Sequence, residues 1–196
     1  MRLRDENKRF AIREKALEMI VKDGFDGLSM HKLAKAAGVS PATIYIYFKD
    51  REDLILQLYF EESIRMSDAT LKNFDPEMHF EEGLRVQWLN RAAYCLQHPQ
   101  RMYFMEQMRH SPLHDKFREF GTPFVVAMKT FVSNAIRRKE LVPLPVEVYW
   151  SIAFAPLYQL VKFHMGGKGM PGTGNFELSE PLIDQTLELV LKALKP

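Results

Sequence analysis

The chain of 196 residues contains a single cysteine, Cys95, so it cannot form an internal disulfide or a thiolate metal cage. No apolar segment follows the charges of the N-terminus MRLRDENKRF, so a secretory signal peptide is not expected. The longest apolar stretch, VYWSIAFAPLYQLV, is interrupted by Pro156 and Gln159 and falls short of the ~20 residues that a membrane helix needs. We therefore expect a soluble, cytoplasmic protein without a membrane partner.

Net charge is also small. The 27 Lys and Arg residues exceed the 25 Asp and Glu residues by two, so the total charge alone does not indicate a nucleic-acid-binding protein. The charge is unevenly distributed, because residues 1–49 carry ten basic and six acidic side chains. This mildly basic first quarter favours a polyanionic partner. The hydrophobic content of 46% is sufficient for a sizeable core in one or two domains.

Strand patterns are scarce, whereas helix signals recur. A side-chain oxygen followed by proline would cap a first helical turn, and this pair occurs at Ser40-Pro41, Asp75-Pro76, Ser111-Pro112 and Thr122-Pro123. Apolar residues between these pairs follow a helical spacing. The sequence predicts an all-α fold of about nine helices, with a kink near Pro156. Ten segments are candidates for these helices. Two start at Pro41 and Asp50, and the others are 7–22, 29–37, 76–97, 99–109, 112–120, 123–139, 145–165 and 180–195.

The segment TIYIYF, residues 43–48, alternates β-branched and aromatic residues as a strand does. It lies between helix signals, however, because Gly38 suits the left-handed end of one helix and Ser40 caps the next. Two short helices joined by a turn of this length form a helix-turn-helix. We therefore predict a helix in this segment, because the flanking helix signals outweigh its strand propensity.

The two faces of this predicted helix differ. At 100° per residue, Ile44 and Phe48 share one side, which we expect to be buried. Ala42 and Ile46 lie on the opposite side, flanked by tyrosine and threonine hydroxyls. Such hydroxyls can bond phosphate oxygens, and small apolar side chains suit the thymine methyl group in the major groove. The exposed face therefore predicts a DNA-binding surface.

The run SMHKLAKAAGVSPATIYIYFKDREDL, residues 29–54, resembles the helix-turn-helix signature of the TetR family of bacterial transcriptional regulators. Ten residues match that signature as they stand: Ala34, Ala37, Gly38, Val39, Ser40, Thr43, Tyr45, Tyr47, Phe48 and Leu54. The departures are conservative. Ser29 replaces threonine, Leu33 and Ile44 exchange isoleucine and leucine, and Arg51 replaces a phosphate-binding lysine. The signature covers about the first quarter of the chain.

The resemblance implies an all-helical homodimer with two DNA-binding heads on a palindromic operator and a C-terminal domain that senses a small molecule. We place the helix-turn-helix DNA-binding domain at residues 1–53 and the helical effector-binding and dimerisation domain at 54–196. Family members use the residues at four of these positions for phosphate contacts: Ser29, Thr43, Tyr47 and Arg51. At four others the residues approach bases: Pro41, Ala42, Tyr45 and Ile46. Ser40 and Lys49 complete the predicted DNA-binding set.

Methionine and aromatic residues are abundant between residues 88 and 163. Ordinary core packing is the simpler interpretation of each one, but together they suit an apolar cavity between helices. We expect an aromatic or long-chain apolar effector, with Gln107, Gln159 or His164 as possible polar anchors. The residues predicted to line this cavity are Trp88, Met105, Met108, Phe124, Met128, Trp150, Phe154 and Tyr158.

The last two predicted helices carry apolar faces. By the resemblance they would form a four-helix bundle at the dimer interface. From the residues alone, the same faces could equally close the core of a single chain. They comprise Trp150, Ile152 and Tyr158 on the first helix and Leu182, Leu187, Leu191 and Leu194 on the second.

Other chemistries find little support in the sequence. His110 and His114 have a spacing that chelates metals on a continuous helix, but Ser111-Pro112 interrupts the helix between them. We identify no catalytic residue, no metal site and no cofactor motif. The preferred function is a repressor released from its operator by a small effector. The alternatives are an activating or effector-independent DNA-binding regulator, and a helical enzyme or metal sensor.

Overall fold

The structure, a computed structural model, describes residues 5–117 and 123–196. These residues form eleven helices and no strand, which confirms the all-α prediction and exceeds the predicted number of helices. The helices are α1 Glu6–Gly27, α2 Met30–Ala36, α3 Pro41–Tyr47, α4 Arg51–Thr70, α5 Phe80–Gln97, α6 Pro99–Arg109, α7 Leu113–Phe117, α8 Pro123–Arg137, α9 Val146–Ala153, α10 Ala155–Gly166 and α11 Glu180–Leu194. Within the described ranges, none of them combines the length and apolar character that a bilayer crossing requires.

Part of the difference in number comes from the predicted helix 145–165, which divides into α9 and α10. The division lies at Phe154, next to the expected kink. Pro156 stands in the first turn of α10, where its missing N–H removes no bond that the new helix could make. The predicted effect of this proline is therefore confirmed, and its result is a complete break.

One helix start was predicted wrongly, at Asp75-Pro76. The Asp75 carboxylate accepts from the Glu77 amide at 2.9 Å, and the Met78 amide donates to the Asp75 carbonyl at 3.0 Å. These bonds close a turn, and α5 begins only at Phe80. The first helix is interrupted at Gly24, close to its predicted end, because a φ of 71° and a ψ of 180° lie outside the helical region. A short further helical segment follows up to Gly27. The end of the predicted helix 112–120 lies outside the described residues.

The chain forms two compact units. The first contains the described residues of Met1–Arg65 and His98–Phe120, and the second those of Met66–Gln97 and Gly121–Pro196. This grouping by packing differs from the functional boundary predicted after residue 53. The reason is visible in the first unit, where Phe104 and Met108 of α6 are fully buried in the same core as the helix-turn-helix.

The core of the first unit joins α1, α2, α3, α4 and α6. Its centre consists of aliphatic residues from the first three helices, completed by side chains from α4 and α6. The residues with at most 1% exposure are Ile12, Ala16, Ile20, Leu33, Ile44, Phe48, Leu54, Ile55, Leu58, Phe104 and Met108. Because α2 and α3 are only seven residues long, their stability depends on this tertiary packing.

The second unit packs α5, α8, α9, α10 and α11 around aromatic residues. The Phe80 and Phe131 rings stack with centroids 5.7 Å apart. Gly83 lies against the Phe131 ring, and a Cβ there would come within 2.4 Å of a ring carbon, so this close approach requires glycine. Leu187, Leu191 and Leu194 of α11 are buried within the same chain. The leucine face of the last helix thus closes the core of this unit.

Candidate nucleic-acid interface

The segment Ser29–Phe48 forms two capped helices. The Ser29 hydroxyl accepts from the Lys32 amide at 3.2 Å and starts α2. Gly38 has a φ of 65°, which ends α2 in the left-handed conformation. The Ser40 hydroxyl then accepts from the Thr43 amide at 3.2 Å, with Pro41 at the start of α3. These local signals outweigh the strand propensity of TIYIYF, and the predicted helix is confirmed.

The two faces of α3 are those predicted. Ile44 and Phe48 are buried to 0% and 1% exposure in the core of the first unit. Ala42 is exposed, and large apolar surfaces remain accessible at Tyr45 (54%) and Ile46 (53%). Neighbouring large apolar side chains at this exposure on a seven-residue helix form a surface suited to contact with another molecule.

Tyr47 is engaged with the start of α1. Its hydroxyl accepts from the Asp5 amide and donates to the Asp5 carbonyl, both at 3.1 Å. Asp5 in turn caps α1, its carboxylate accepting from the Asn7 amide at 3.1 Å. A phosphate contact by Tyr47 therefore requires exchange of bonds that already exist in the free protein.

Arg51 is half-buried at the start of α4 and bonds the end of α1. Its Nε donates to the Leu28 carbonyl at 2.9 Å, and its Nη2 donates to the Phe25 carbonyl. The sequence pattern alone did not indicate this positioning role. Lys49 is exposed beside it, and its backbone amide donates to the Asp53 carboxylate at 2.8 Å. The Asp50 carboxylate accepts from the Asp53 amide at 2.9 Å and caps α4, the helix that was predicted to start at Asp50.

Four of the residues predicted to bind an effector meet around Arg91 in the second unit. The Arg91 guanidinium carbon lies 4.4 Å from the centroid of the Phe154 ring. The corresponding distances to the Phe124 and Trp150 rings are 5.2 and 5.3 Å. Arg91 Nη1 also donates to the Tyr158 hydroxyl at 2.8 Å. The sequence prediction thus identified the surroundings of Arg91 but missed the arginine itself.

The other four predicted residues lie elsewhere. Trp88 is fully buried in the second unit, where its Nε1 donates to the Ala153 carbonyl at 2.7 Å. Met128 is buried in the same unit. Met105 and Met108 belong to the first unit and pack against its core. The structure therefore does not bring these four to the Arg91 cluster.

The three polar anchors considered from sequence have other surroundings. Gln159 is exposed, and His164 Nδ1 accepts from the Leu178 amide at 3.1 Å. Gln107 lies in the first unit and donates to the Val21 carbonyl at 3.4 Å. Two buried polar side chains of α5, Gln87 and Arg91, were not considered from sequence. The available signal was that they interrupt the face formed by the buried residues Leu84, Trp88 and Cys95.

A buried tyrosine adjoins this region. Tyr149 is 3% exposed, and its hydroxyl has no hydrogen-bond partner among the described residues. Burial raises the pKa of the Tyr149 hydroxyl, while the positive charge of Arg91 acts in the opposite direction. The hydroxyl therefore remains neutral at physiological pH.

Two clefts lie away from these side chains. One, of about 520 Å³, is lined in the first unit by residues that include Phe25, Tyr103 and Gln107. The other, of about 800 Å³, is lined in the second unit by residues that include His79, Arg85 and Lys195. Neither is lined by any of the eight predicted effector-binding residues. The described residues contain no group of three or more His, Cys, Asp or Glu side chains that could hold a metal ion.

The sequence pattern of the family described as "Bacterial regulatory proteins, tetR family" matches residues 12–58. These residues include the capped helices α2 and α3 and the exposed face of α3. This matched segment is similar to the DNA-binding helix-turn-helix of the TetR family. The resemblance predicted from residues 29–54 and the all-α fold are confirmed.

Similarity to individual proteins extends over both units for a solved structure and over shorter segments for curated relatives. A TetR family transcription regulator from Marinobacter aquaeolei VT8 is 28% identical, with 99% of this chain and 98% of that chain covered and a TM-score of 0.82. An uncharacterized HTH-type transcriptional regulator from Haemophilus influenzae is 35% identical over 48% of this chain and 50% of its own length. The fatty acid metabolism regulator protein of Bacillus subtilis is 40% identical over 28% of each chain. The chain thus spans half or less of these two curated relatives.

Proposed function

We propose that this protein is a sequence-specific transcriptional regulator of the TetR family that binds a palindromic operator in double-stranded DNA as a homodimer. The observation that carries the proposal is the face of α3, where Ala42, Tyr45 and Ile46 are exposed while Ile44 and Phe48 anchor the helix in the core. Helix-turn-helix proteins place such a helix in the major groove, with dimer half-sites about 10.5 bp or a multiple apart.

The proposed mode of regulation is repression relieved by a small apolar or aromatic effector. An effector bound in the second unit would favour a spacing of the DNA-binding heads that does not fit the operator. A coupling of about 1–3 kcal/mol corresponds to a loss of operator affinity of roughly 5- to 150-fold. The protein would work in the cytoplasm without a cofactor and without enzymatic activity. An activating or effector-independent regulator would share the same DNA-binding face.

Selection from a random pool of duplex DNA, at about 0.15 M salt because affinity for DNA depends on salt, tests DNA recognition directly. We expect enrichment of a palindrome with thymine-rich half-sites. Folded protein that enriches no sequence would contradict the proposal. An effector that saturates the protein without changing affinity for the selected operator would contradict the repressor mechanism while leaving DNA recognition intact.

Ile46→Ala tests the assignment of the exposed face. Removal of an apolar side chain that contacts a thymine methyl group should weaken binding to the selected operator and relax the preference at one base position. Binding to random DNA should change little, because phosphate contacts supply most non-specific affinity. Fluorescence anisotropy with operator and scrambled duplexes measures both affinities.

The matched control for this variant is Ile64→Ala, the same substitution at an exposed position of α4 in the first unit. It should leave both affinities unchanged. Equal losses of affinity for operator and scrambled DNA in Ile46→Ala would remove Ile46 from the base-reading residues.

A further inference from the structure

Arg91 carries a buried positive charge that has no negatively charged partner among the residues that the structure describes. Its residue exposure is 3%, and among the described residues its hydrogen bonds go to neutral groups, the Tyr158 hydroxyl at 2.8 Å and Gln87 Oε1 at 3.4 Å. Its Nε has no hydrogen-bond partner in the described part of the chain. Since a buried charge is costly unless it is both paired and hydrogen-bonded, this arginine is only partly satisfied by its own protein.

Gln87 adds a second open donor at the same place. The residue is fully buried, one helical turn before Arg91 on α5, and its Nε2 has no hydrogen-bond partner among the described residues. Its amide group is held next to the guanidinium by the bond from Arg91 Nη2 to Gln87 Oε1. Arg91 Nε and Gln87 Nε2 therefore both lack an acceptor among the described residues. A buried donor without an acceptor costs free energy, so a bound acceptor would be stabilised here.

The surroundings of Arg91 are aromatic. The Phe124, Trp150 and Phe154 rings lie within 5.3 Å of its guanidinium carbon and attract it through their π faces. Ring faces accept no conventional hydrogen bond from Nε and carry no net charge, so one positive charge remains uncompensated. Phe124, Trp150 and Tyr158 are only partly buried, which leaves the cluster accessible from solvent.

We propose that Arg91 and Gln87 bind the carboxylate of the effector, and that the effector is an organic monoanion with an aromatic or alkyl body. This inference rests on the effector-binding part of the proposed function and specifies its chemistry. A guanidinium suits a carboxylate because its planar fork offers parallel donors to both oxygens. The rings would contact the apolar body. One arginine neutralises one negative charge, which favours a carboxylate over a phosphate dianion.

Matched pairs of probes that differ only in their charged group test this proposal. Octanoate is compared with octan-1-ol, and 4-phenylbutanoate with 4-phenylbutan-1-ol, by calorimetric titration of the full chain at about pH 7.5, where the carboxylates are ionised. We expect at least one carboxylate to bind about tenfold or more tightly than its alcohol, because a charge-assisted fork is available only to the acid. The two pairs distinguish an alkyl from an aromatic body.

Arg91→Met should abolish this preference, so that acid and alcohol bind alike. Arg91→Lys keeps the charge without the planar fork and should retain part of the preference, which guards against a misleading loss caused by misfolding. The matched control is Arg85→Met on the same helix. Arg85 pairs with Asp184 and with Glu188 at 2.9 Å, so its removal should leave the preference unchanged.

Three results would overturn the proposal: equal binding of acid and alcohol by the unmodified protein, no binding of either probe pair, or a preference that survives in Arg91→Met. DNA selection on the same preparation separates this failure from failure of the proposed function. DNA recognition without carboxylate preference would refute only the anion site. An Arg91-dependent preference without DNA recognition would support the anion site and refute the regulator.

Discussion

Each unit of the protein contains a largely buried arginine, and the surroundings of the two charges differ. In the first unit, the Arg101 side chain is 15% exposed and pairs with Glu62 and, at 2.9 Å, with Glu14. These ion pairs link α6 to α4 and α1. In the second unit, Arg91 is surrounded by aromatic rings and neutral oxygens.

This difference distinguishes a structural arginine, Arg101, from Arg91, whose charge is available to bind an anion. Arg101 finds its counterions within its own unit, so its contribution is complete in the free protein. Among the described residues Arg91 has no such counterion, and the proposed anionic effector would supply one. A buried arginine is therefore informative about function when its hydrogen-bond and charge partners are identified, because burial alone does not show whether the charge is compensated.

The largest expected effect of a substitution is that of Arg101→Met. The Glu62 side chain, 2% exposed, would lose its main partner and keep Arg65, at 3.8 Å, as its remaining ion pair among the described residues. Removal of one partner of a buried ion pair costs about 3–5 kcal/mol of unfolding free energy. Urea unfolding followed by circular dichroism measures this loss. The double variant Arg101→Met with Glu62→Met should recover most of the lost stability, because it leaves no buried charge unpaired. A loss below about 1 kcal/mol in Arg101→Met alone would contradict the assignment of Arg101 and Glu62 as a buried ion pair.

Arg91→Met should have a much smaller effect in the absence of ligand. The lost contacts with rings and hydroxyl are offset by removal of an uncompensated buried charge, so we expect a change of about 1 kcal/mol or less. The same unfolding experiment measures it. A loss as large as that of Arg101→Met would show that the rings satisfy Arg91 fully, and the contrast between the two arginines would disappear.

The smallest predicted effect is a pH dependence in the first unit. Burial raises the pKa of the Glu62 carboxyl above its ordinary value of 4.5, and the nearby Arg101 only partly opposes this. A raised pKa means that the folded protein binds the proton more tightly than the unfolded chain. The stabilising contribution of Glu62 is therefore complete below pH 4.5 and decreases as pH rises through the folded-state pKa.

Comparison with Glu62→Gln isolates this contribution, because the amide does not titrate. The unfolding free energy of the unmodified protein minus that of Glu62→Gln should decrease as pH is raised from about 4 to 7. A difference that increases over this interval would mean that attraction to Arg101 outweighs burial, and the folded-state pKa would then be lowered.

The helices could be predicted from sequence where their signals are local. Ser40, Pro41 and Gly38 define the start of α3 and the turn before it through bonds to neighbouring residues, and they correctly outweighed the propensity of TIYIYF. The same kind of signal failed at Asp75-Pro76. There the side chain closed a turn, and α5 began where Glu140, a residue distant in sequence, accepts from the Phe80 amide at 2.9 Å.

In the candidate sites, too, features set by neighbouring residues could be predicted, whereas contacts between residues distant in sequence could not. The exposed and buried faces of α3 follow from helical geometry alone, and both were predicted. The bonds of Tyr47 to Asp5 and of Arg51 to the end of α1 join residues 23 or more positions apart, so no local pattern could indicate them. Arg91 was missed for the same reason, since its three rings come from α8, α9 and the residue that follows α9.

The bonds of Arg51 bear on how the first unit opens. Helix ends usually fray, and α1 has no basic residue in its own last turn to hold its terminal carbonyls. Arg51 of α4 supplies those donors, so the end of α1 and the beginning of α4 separate only together. Hydrogen exchange at the Leu28 amide, which donates to the Phe25 carbonyl, should therefore report cooperative opening of both helices. Arg51→Lys would preserve the charge but could not bond the Leu28 and Phe25 carbonyls at the same time through a planar guanidinium. The end of α1 would then open independently of α4.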